Sequence, residues 1–221
     1  MVRMTLERKE REKEQRSKVI VDAAEQLFFS KTYDEITIEG IAKKAQFAKG
    51  TLYLYFKSKE ALYYAVALRG VSVMNTMFNE AASQKKNGLE KAFAIGEAYC
   101  AFSDKYPEYF RVLVNAENLP FASSDDENAL RLMEISDENL RIVMNAIAEG
   151  MNDGSVKPGM DPLQAAIFLI QSTTAMILLP NCFDMVLKSS GANKQAVLKF
   201  TLESLRRAIE NTQERKGEFR R

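Results

Sequence analysis

The chain has 221 residues, is 46% hydrophobic and 28% charged, and carries a net charge of +1, which is the profile of an ordinary globular protein of one or two domains. It contains no histidine, so Ser-His-Asp and Cys-His nucleophilic sites and histidine-ligated metals are excluded. Cys100 and Cys182 are its two cysteines, too few for a disulfide framework, and with neither an apolar leader nor a run of roughly 18 apolar residues a cytoplasmic, non-membrane protein is expected.

Residues 1–16 alternate charge, from Arg3 through Glu7, Arg8, Lys9, Glu10, Arg11, Glu12, Lys13 and Glu14 to Arg16. They read as a charged flexible arm, solvated and at most partly helical. A helix is expected over Ser17–Ser30, where Val19, Ile20, Ala23, Ala24, Leu27 and Phe28 recur at helical spacing. After the link Thr32–Ile36, a short helix with Ile38, Ile41, Ala42 and Ala45 follows, capped by Thr37 and with Glu39 in its positive first turn. Gln46, Phe47 and Ala48 form a connection of helix-turn-helix length. A second short helix, Lys49 to Tyr55, turns Leu52 and Phe56 inward and leaves Lys49, Thr51, Tyr53 and Tyr55 on its other sides.

Ser58 can cap a long helix running to Gln84, about 40 Å at 1.5 Å per residue. Asn87-Gly88 breaks it, and a helix through Ala92, Ile95, Tyr99, Phe102 and Tyr106 follows until Pro107. A short aromatic-rich helix is expected over Glu108–Asn115, then a loop at Leu119–Ser123. The pair Ser124 and Glu127 has capping-box spacing and opens a helix reaching Asn152, stopped by Gly150 and Gly154. Its stripe Leu130, Met133, Asp137, Leu140, Met144, Ile147, Met151 puts one carboxylate in an otherwise apolar row. That carboxylate marks a break, meets a cationic partner, or faces a bound molecule. Asp161-Pro162 opens an almost wholly apolar helix over Leu163–Leu179, which must be covered on most sides. A turn at Ser189–Asn193 leads to a last helix with Leu198, Leu202, Leu205 and Ile209, followed by a charged tail. The class is all-α, about nine helices, with neither strand alternation nor internal repeat.

Residues 1–60 hold 13 Lys and Arg against 10 Asp and Glu, a net +3, while 61–221 hold 18 against 20, a net −2. This asymmetry places any nucleic-acid contact at the amino-terminal end. The string TIEGIAKKA, then KGTLYLYFKSKEAL, spans Thr37 to Leu62 without a gap. It resembles the DNA-binding signature of the tetracycline-repressor (TetR) family. The resemblance implies a three-helix DNA-binding head (17–60) with a helix-turn-helix, and a larger body (61–221) for ligand binding and dimerisation. It implies DNA contact at Thr37, Lys49, Gly50, Thr51, Tyr53, Tyr55 and Lys59. Glu39 and Ala48 depart from the residues many relatives use at those positions.

The resemblance also implies a cavity in the body. Met74, Met77, Phe78, Phe93, Tyr99, Phe102, Phe110, Met133, Asp137, Met144 and Phe168 lie on the helices that would line it, although each alone reads equally as ordinary core. A two-fold, four-helix interface is expected from Ile167, Ile170, Thr174 and Ile177 with Leu198, Leu202, Leu205 and Ile209. The expected function is a homodimeric regulator, most simply a repressor, released from a palindromic operator by an apolar or amphipathic small molecule. No enzymatic activity, metal or cofactor is expected. A DNA-binding protein without inducer and a helical lipid carrier or enzyme are the alternatives.

Overall fold

A computed structural model describes residues 2–116 and 126–212. It contains ten helices among the described residues: α1 (Val2–Ser30), α2 (Ile38–Ala45), α3 (Lys49–Tyr53), α4 (Lys59–Ser83), α5 (Gly88–Lys105), α6 (Pro107–Ala116), α7 (Glu127–Asn152), α8 (Pro162–Ile177), α9 (Cys182–Ser189) and α10 (Lys194–Ile209). The expected loop Leu119–Ser123, the Ser124 cap and the tail beyond residue 212 lie outside the described residues. Two compact units form, one from Met1–Ser72 with Tyr106–Ile135, the other from Val73–Lys105 with Ser136–Arg221. The partition differs from the boundary expected at residue 60, because α6 and the first half of α4 pack with α1.

The first unit is built on Ile20, Ala24, Phe28, Ile41, Leu52, Leu62 and Val66, all buried in one cluster. Tyr63 meets both Phe28 and Tyr33 edge to face within it, with Phe28–Tyr63 centroids 4.8 Å apart. The first helix begins at Val2 rather than at Ser17. Oppositely charged residues one turn apart, such as Arg8 and Glu12 at 2.9 Å, let this segment continue the helix instead of forming a flexible arm.

On α6, the Arg111 guanidinium donates to the Phe28 and Phe29 carbonyls at 2.8 and 2.9 Å, capping the C-terminal end of α1. The Tyr109 hydroxyl donates to Glu25 at 2.7 Å, and Arg69 of α4 bridges Asp22 and Glu25 at 2.7 and 2.8 Å. Burial raises the Asp22 carboxyl, but Lys18 and Arg69 outweigh it and hold its pKa below the ordinary value. Gly70 lies under the Tyr109 ring, where an added Cβ would stand 3.0 Å from a ring carbon.

The second unit packs Phe78, Ile95, Val143, Ile147, Ala166, Leu205 and Ile209 into a second core. Its helix ends are capped by side chains: Asn87 accepts from the Glu90 N–H, Asp161 from Gln164 and Asn193 from Ala196. At the start of α5, Gly88 lies against α7, and a Cβ there would overlap the Gly150 backbone nitrogen and the Ala146 carbonyl. Lys91 closes this crossing by donating to both Glu149 oxygens at 2.6 and 2.7 Å. Val156 and Glu210 pair as an isolated bridge, and Lys157 donates to the Ala208 carbonyl at 2.7 Å, placing a cation at the C-terminal end of α10.

Three expectations change in this unit. A tenth helix, α9, was not expected. Its cap residue Asn181 makes no side-chain bond, and its apolar residues Phe183, Met185 and Val186 are exposed, so it carries neither a start signal nor an inward stripe. The helix α7 passes unbroken through Asp137, which is exposed. The stripe Leu198, Leu202, Leu205, Ile209 is the inward face of α10, with Leu205 and Ile209 buried in the chain's own core.

Candidate nucleic-acid interface

Thr37 starts the motif. Its backbone is extended and its hydroxyl accepts from the Gly40 N–H at 3.1 Å, a cap worth about 1 kcal/mol. Ile41, Ala42 and Ala45 bury one face of α2, leaving Glu39, Lys43 and Lys44 exposed. The helix stops at Gln46, in the left-handed region at φ 60°, whose N–H returns to the Ala42 and Lys43 carbonyls. A side chain there costs about 1–2 kcal/mol, so the sharp turn between α2 and α3 is held by the burial of helices on both sides of it.

Leu52 and Phe56 bury the inner side of α3. Outside stand Lys49, Gly50 and Tyr53, the last 46% exposed, with Thr51 and Tyr55 half-buried. Tyr55 packs on the first core. Ala48 caps α3 without a side-chain acceptor, so the first N–H groups remain for an outside acceptor such as a phosphate. Nothing stands within 4 Å of a Cβ built at Gly50, so the chain's own packing does not demand glycine, and another backbone can approach closely there.

The Lys49 ammonium pairs with Glu39 and lies 5.9 Å from the Tyr53 ring centroid. The Lys49 hydrogen bond lowers the Glu39 pKa, and the same bond raises that of Lys49. This pair was not read from sequence, where Glu39 counted as a first-turn carboxylate and as a departure from the family's residue. Lys43, Lys44 and Lys57 are also exposed cations of this unit that the motif did not single out.

Lys59 is placed differently from the other motif residues. It donates to the Tyr33 and Ile36 carbonyls at 2.9 and 3.1 Å and lies 3.9 Å from the Tyr33 ring centroid. Beside it, Tyr33 donates to Glu60 at 2.8 Å. Burial raises the Glu60 carboxyl, but its own backbone N–H and the Tyr33 hydroxyl outweigh this and hold it low. The first turn of α4 therefore clamps the link between α1 and α2, which sets the angle at which the motif is held.

The expected cavity residues divide. Phe78 is buried in the second core, with Met74, Phe93, Tyr99 and Met144 packed against it. The Phe78 and Tyr99 rings meet edge to face at 6.1 Å. Tyr99 reaches Thr174 at 2.9 Å, and because the Thr174 hydroxyl donates to the Ile170 carbonyl, Tyr99 is the donor. Phe102 is fully buried and Met77 half-buried. Phe110 and Met133 belong to the first unit, Phe110 buried and Met133 exposed, while Phe168 and Asp137 are exposed on the second. Of the expected interface residues, Ile167 is 48% exposed, Ile170, Thr174, Leu198 and Leu202 are half-buried, and Ile177, Leu205 and Ile209 are buried.

Residues 20–66 match the family model described as bacterial regulatory proteins, tetR family. Over 176 residues the chain is 25% identical to the fatty acid metabolism regulator protein of Bacillus subtilis (strain 168), covering 77% of this chain and 88% of that one. Among solved structures, the transcriptional regulator FadR from Bacillus subtilis in complex with stearoyl-CoA matches with a TM-score of 0.62 at 23% identity, over 85% of this chain and 96% of that one. AibR in complex with isovaleryl coenzyme A and operator DNA matches with a TM-score of 0.58 at 17% identity, over 73% and 85%.

Proposed function

We propose, from the match of residues 20–66 to the tetR family model, that the chain is a cytoplasmic repressor of that family whose two copies hold a near-palindromic operator and release it when an acyl-chain effector binds. The observation that carries the DNA reading is α3. Its inner side is locked by Leu52 and Phe56, while Lys49, Gly50 and Tyr53 stand exposed at the end of a helix-turn-helix. A second helix presented in this way fits the major groove, with phosphates met by lysine, phenol and backbone N–H groups.

Two copies supply two such helices, and half-sites about 34–36 Å apart centre to centre would accept them. Support for the pairing surface comes from the outward faces of α8, α9 and α10. Ile167, Phe168, Phe183, Met185, Val186 and Phe200 are exposed there, an apolar area that water disfavours and a second copy would cover. The effector reading rests on the aromatic and methionine-rich second core and on kinship with regulators of fatty acid metabolism. An effector favouring one arrangement by ~1–3 kcal/mol would change operator affinity about 5–150-fold.

Selection of random-sequence duplexes by the purified protein, followed by sequencing, tests this reading. A recovered consensus with dyad symmetry supports it. Recovery of unrelated duplexes, bound with one affinity and a steep salt dependence, would mark a sequence-indifferent DNA-binding protein instead.

A further inference from the structure

Asn139 and Thr173 are the buried polar side chains among the described residues, and no charged side chain is buried there. Thr173 is satisfied, since its hydroxyl donates to the Leu169 carbonyl at 2.8 Å. Asn139 is not. It is 5% exposed, and its amide nitrogen has no hydrogen-bond partner.

The orientation of this amide follows from a relay along α4. Asn79 Nδ2 donates to the Asn75 backbone carbonyl at 3.0 Å, which fixes the Asn79 amide. The same nitrogen donates to Asn75 Oδ1 at 3.2 Å, which fixes Asn75. Asn75 Nδ2 then donates to Asn139 Oδ1 at 2.9 Å. Turning Asn139 over would set two NH2 groups against each other, so its own NH2 points away from Asn75 with both donors unmet. One turn from Asn75 and from Asn139 stand Phe78 and Val143, members of the second core. A donor pair left empty beside apolar side chains is costly, and native folds retain such a group where something else fills it.

We infer that the Asn139 amide is the polar contact for the effector and that it takes a neutral carbonyl oxygen, the thioester carbonyl of a long-chain acyl-CoA being the form the effector reading supplies. The inference rests on that reading. The chemistry is specific. An NH2 group asks for an acceptor. With no buried cation, a carboxylate would enter uncompensated, whereas a carbonyl carries its acceptor oxygen without charge. Asn139 is thus a specificity residue, distinguishing an acyl chain from an alkyl chain of the same length.

The test uses two probes, palmitoyl-CoA and its thioether analogue S-hexadecyl-CoA, which lacks the carbonyl. Isothermal titration should show the wild type binding the thioester about 5- to 10-fold more tightly, the worth of one hydrogen bond to a buried donor. Asn139→Leu, of similar volume, should bind the two within about twofold of each other and keep the wild-type operator affinity. Equal affinities of the wild type for the two probes would overturn the inference and leave the acyl-chain effector standing, with the NH2 group met by internal water. Binding of neither probe would overturn the effector reading and this inference with it. The wild-type comparison decides the matter alone if the variant does not fold.

Discussion

Glu39 sits on the face that would meet DNA, and its carboxylate occupies the Lys49 ammonium. The two side chains are about half exposed, at 59% and 50%, so the pair adds little to stability. Its effect is on charge: beside phosphates it removes one cation and adds one anion. Glu39→Gln should therefore strengthen binding to arbitrary duplex and make the slope of log K against log salt steeper by about 1, as measured by anisotropy across a salt series. An unchanged slope would place the pair away from the phosphates. At this scale the sequence was legible where burial leaves no choice: Leu52 and Phe56 face inward and Thr37 caps α2, as their spacing implied. It was not legible for Lys59, because a lysine in a motif string reads the same whether it meets solvent or two backbone carbonyls.

The α10 stripe shows how far an apolar pattern informs. Gaps of 4, 3 and 4 identify one face of a helix, but the same stripe serves a chain's own core or a partner. In this fold Leu205 and Ile209 went to the core and left Phe200 exposed. The two positions now carry opposite expectations. Leu205→Glu buries a charge without a partner and should lower the melting temperature sharply, a cost of several kcal/mol. Phe200→Glu should leave the protomer's melting behaviour nearly intact and, by light scattering, shift dimer toward monomer. Dimers that persist in Phe200→Glu at micromolar concentration would remove α10 from the pairing surface. The caps Asn87 and Asp161 were legible because their acceptor lies three residues before its N–H, a local relation that packing does not alter, whereas Asn193, which caps α10 in the same way, was read only as the end of a turn.

For the whole molecule, the all-α class was readable from periodicity and the helix-turn-helix from the resemblance of the Thr37–Leu62 string, whereas the division into units was not. Tyr109, Arg111 and Val112 looked like body residues because an aromatic-rich helix carries no mark of which core it joins. Long-range contacts decide it, among them Tyr109 to Glu25 and Arg111 to the end of α1. The Asp22 carboxyl, held beside Lys18 and Arg69, makes the first unit's stability pH-dependent. The Asp22 carboxyl is held low in the folded state, so its contribution is present above the ordinary aspartate pKa and is lost as pH falls through the lowered folded value. The melting-temperature gap between wild type and Asp22→Asn should thus be open at pH 7 and narrow as the pH drops below about 4. A gap of constant size would show that Asp22 acts through packing alone. The central claim is that the exposed side of α3 holds DNA, and titration of the selected operator with wild type and with Tyr53→Ala tests it most directly. Tyr53 is exposed and makes no core contact of its own, so the variant should melt with the wild type yet bind the operator about 10-fold or more weakly, a loss of ~1–3 kcal/mol. Equal affinity of the two proteins for the operator would contradict the account.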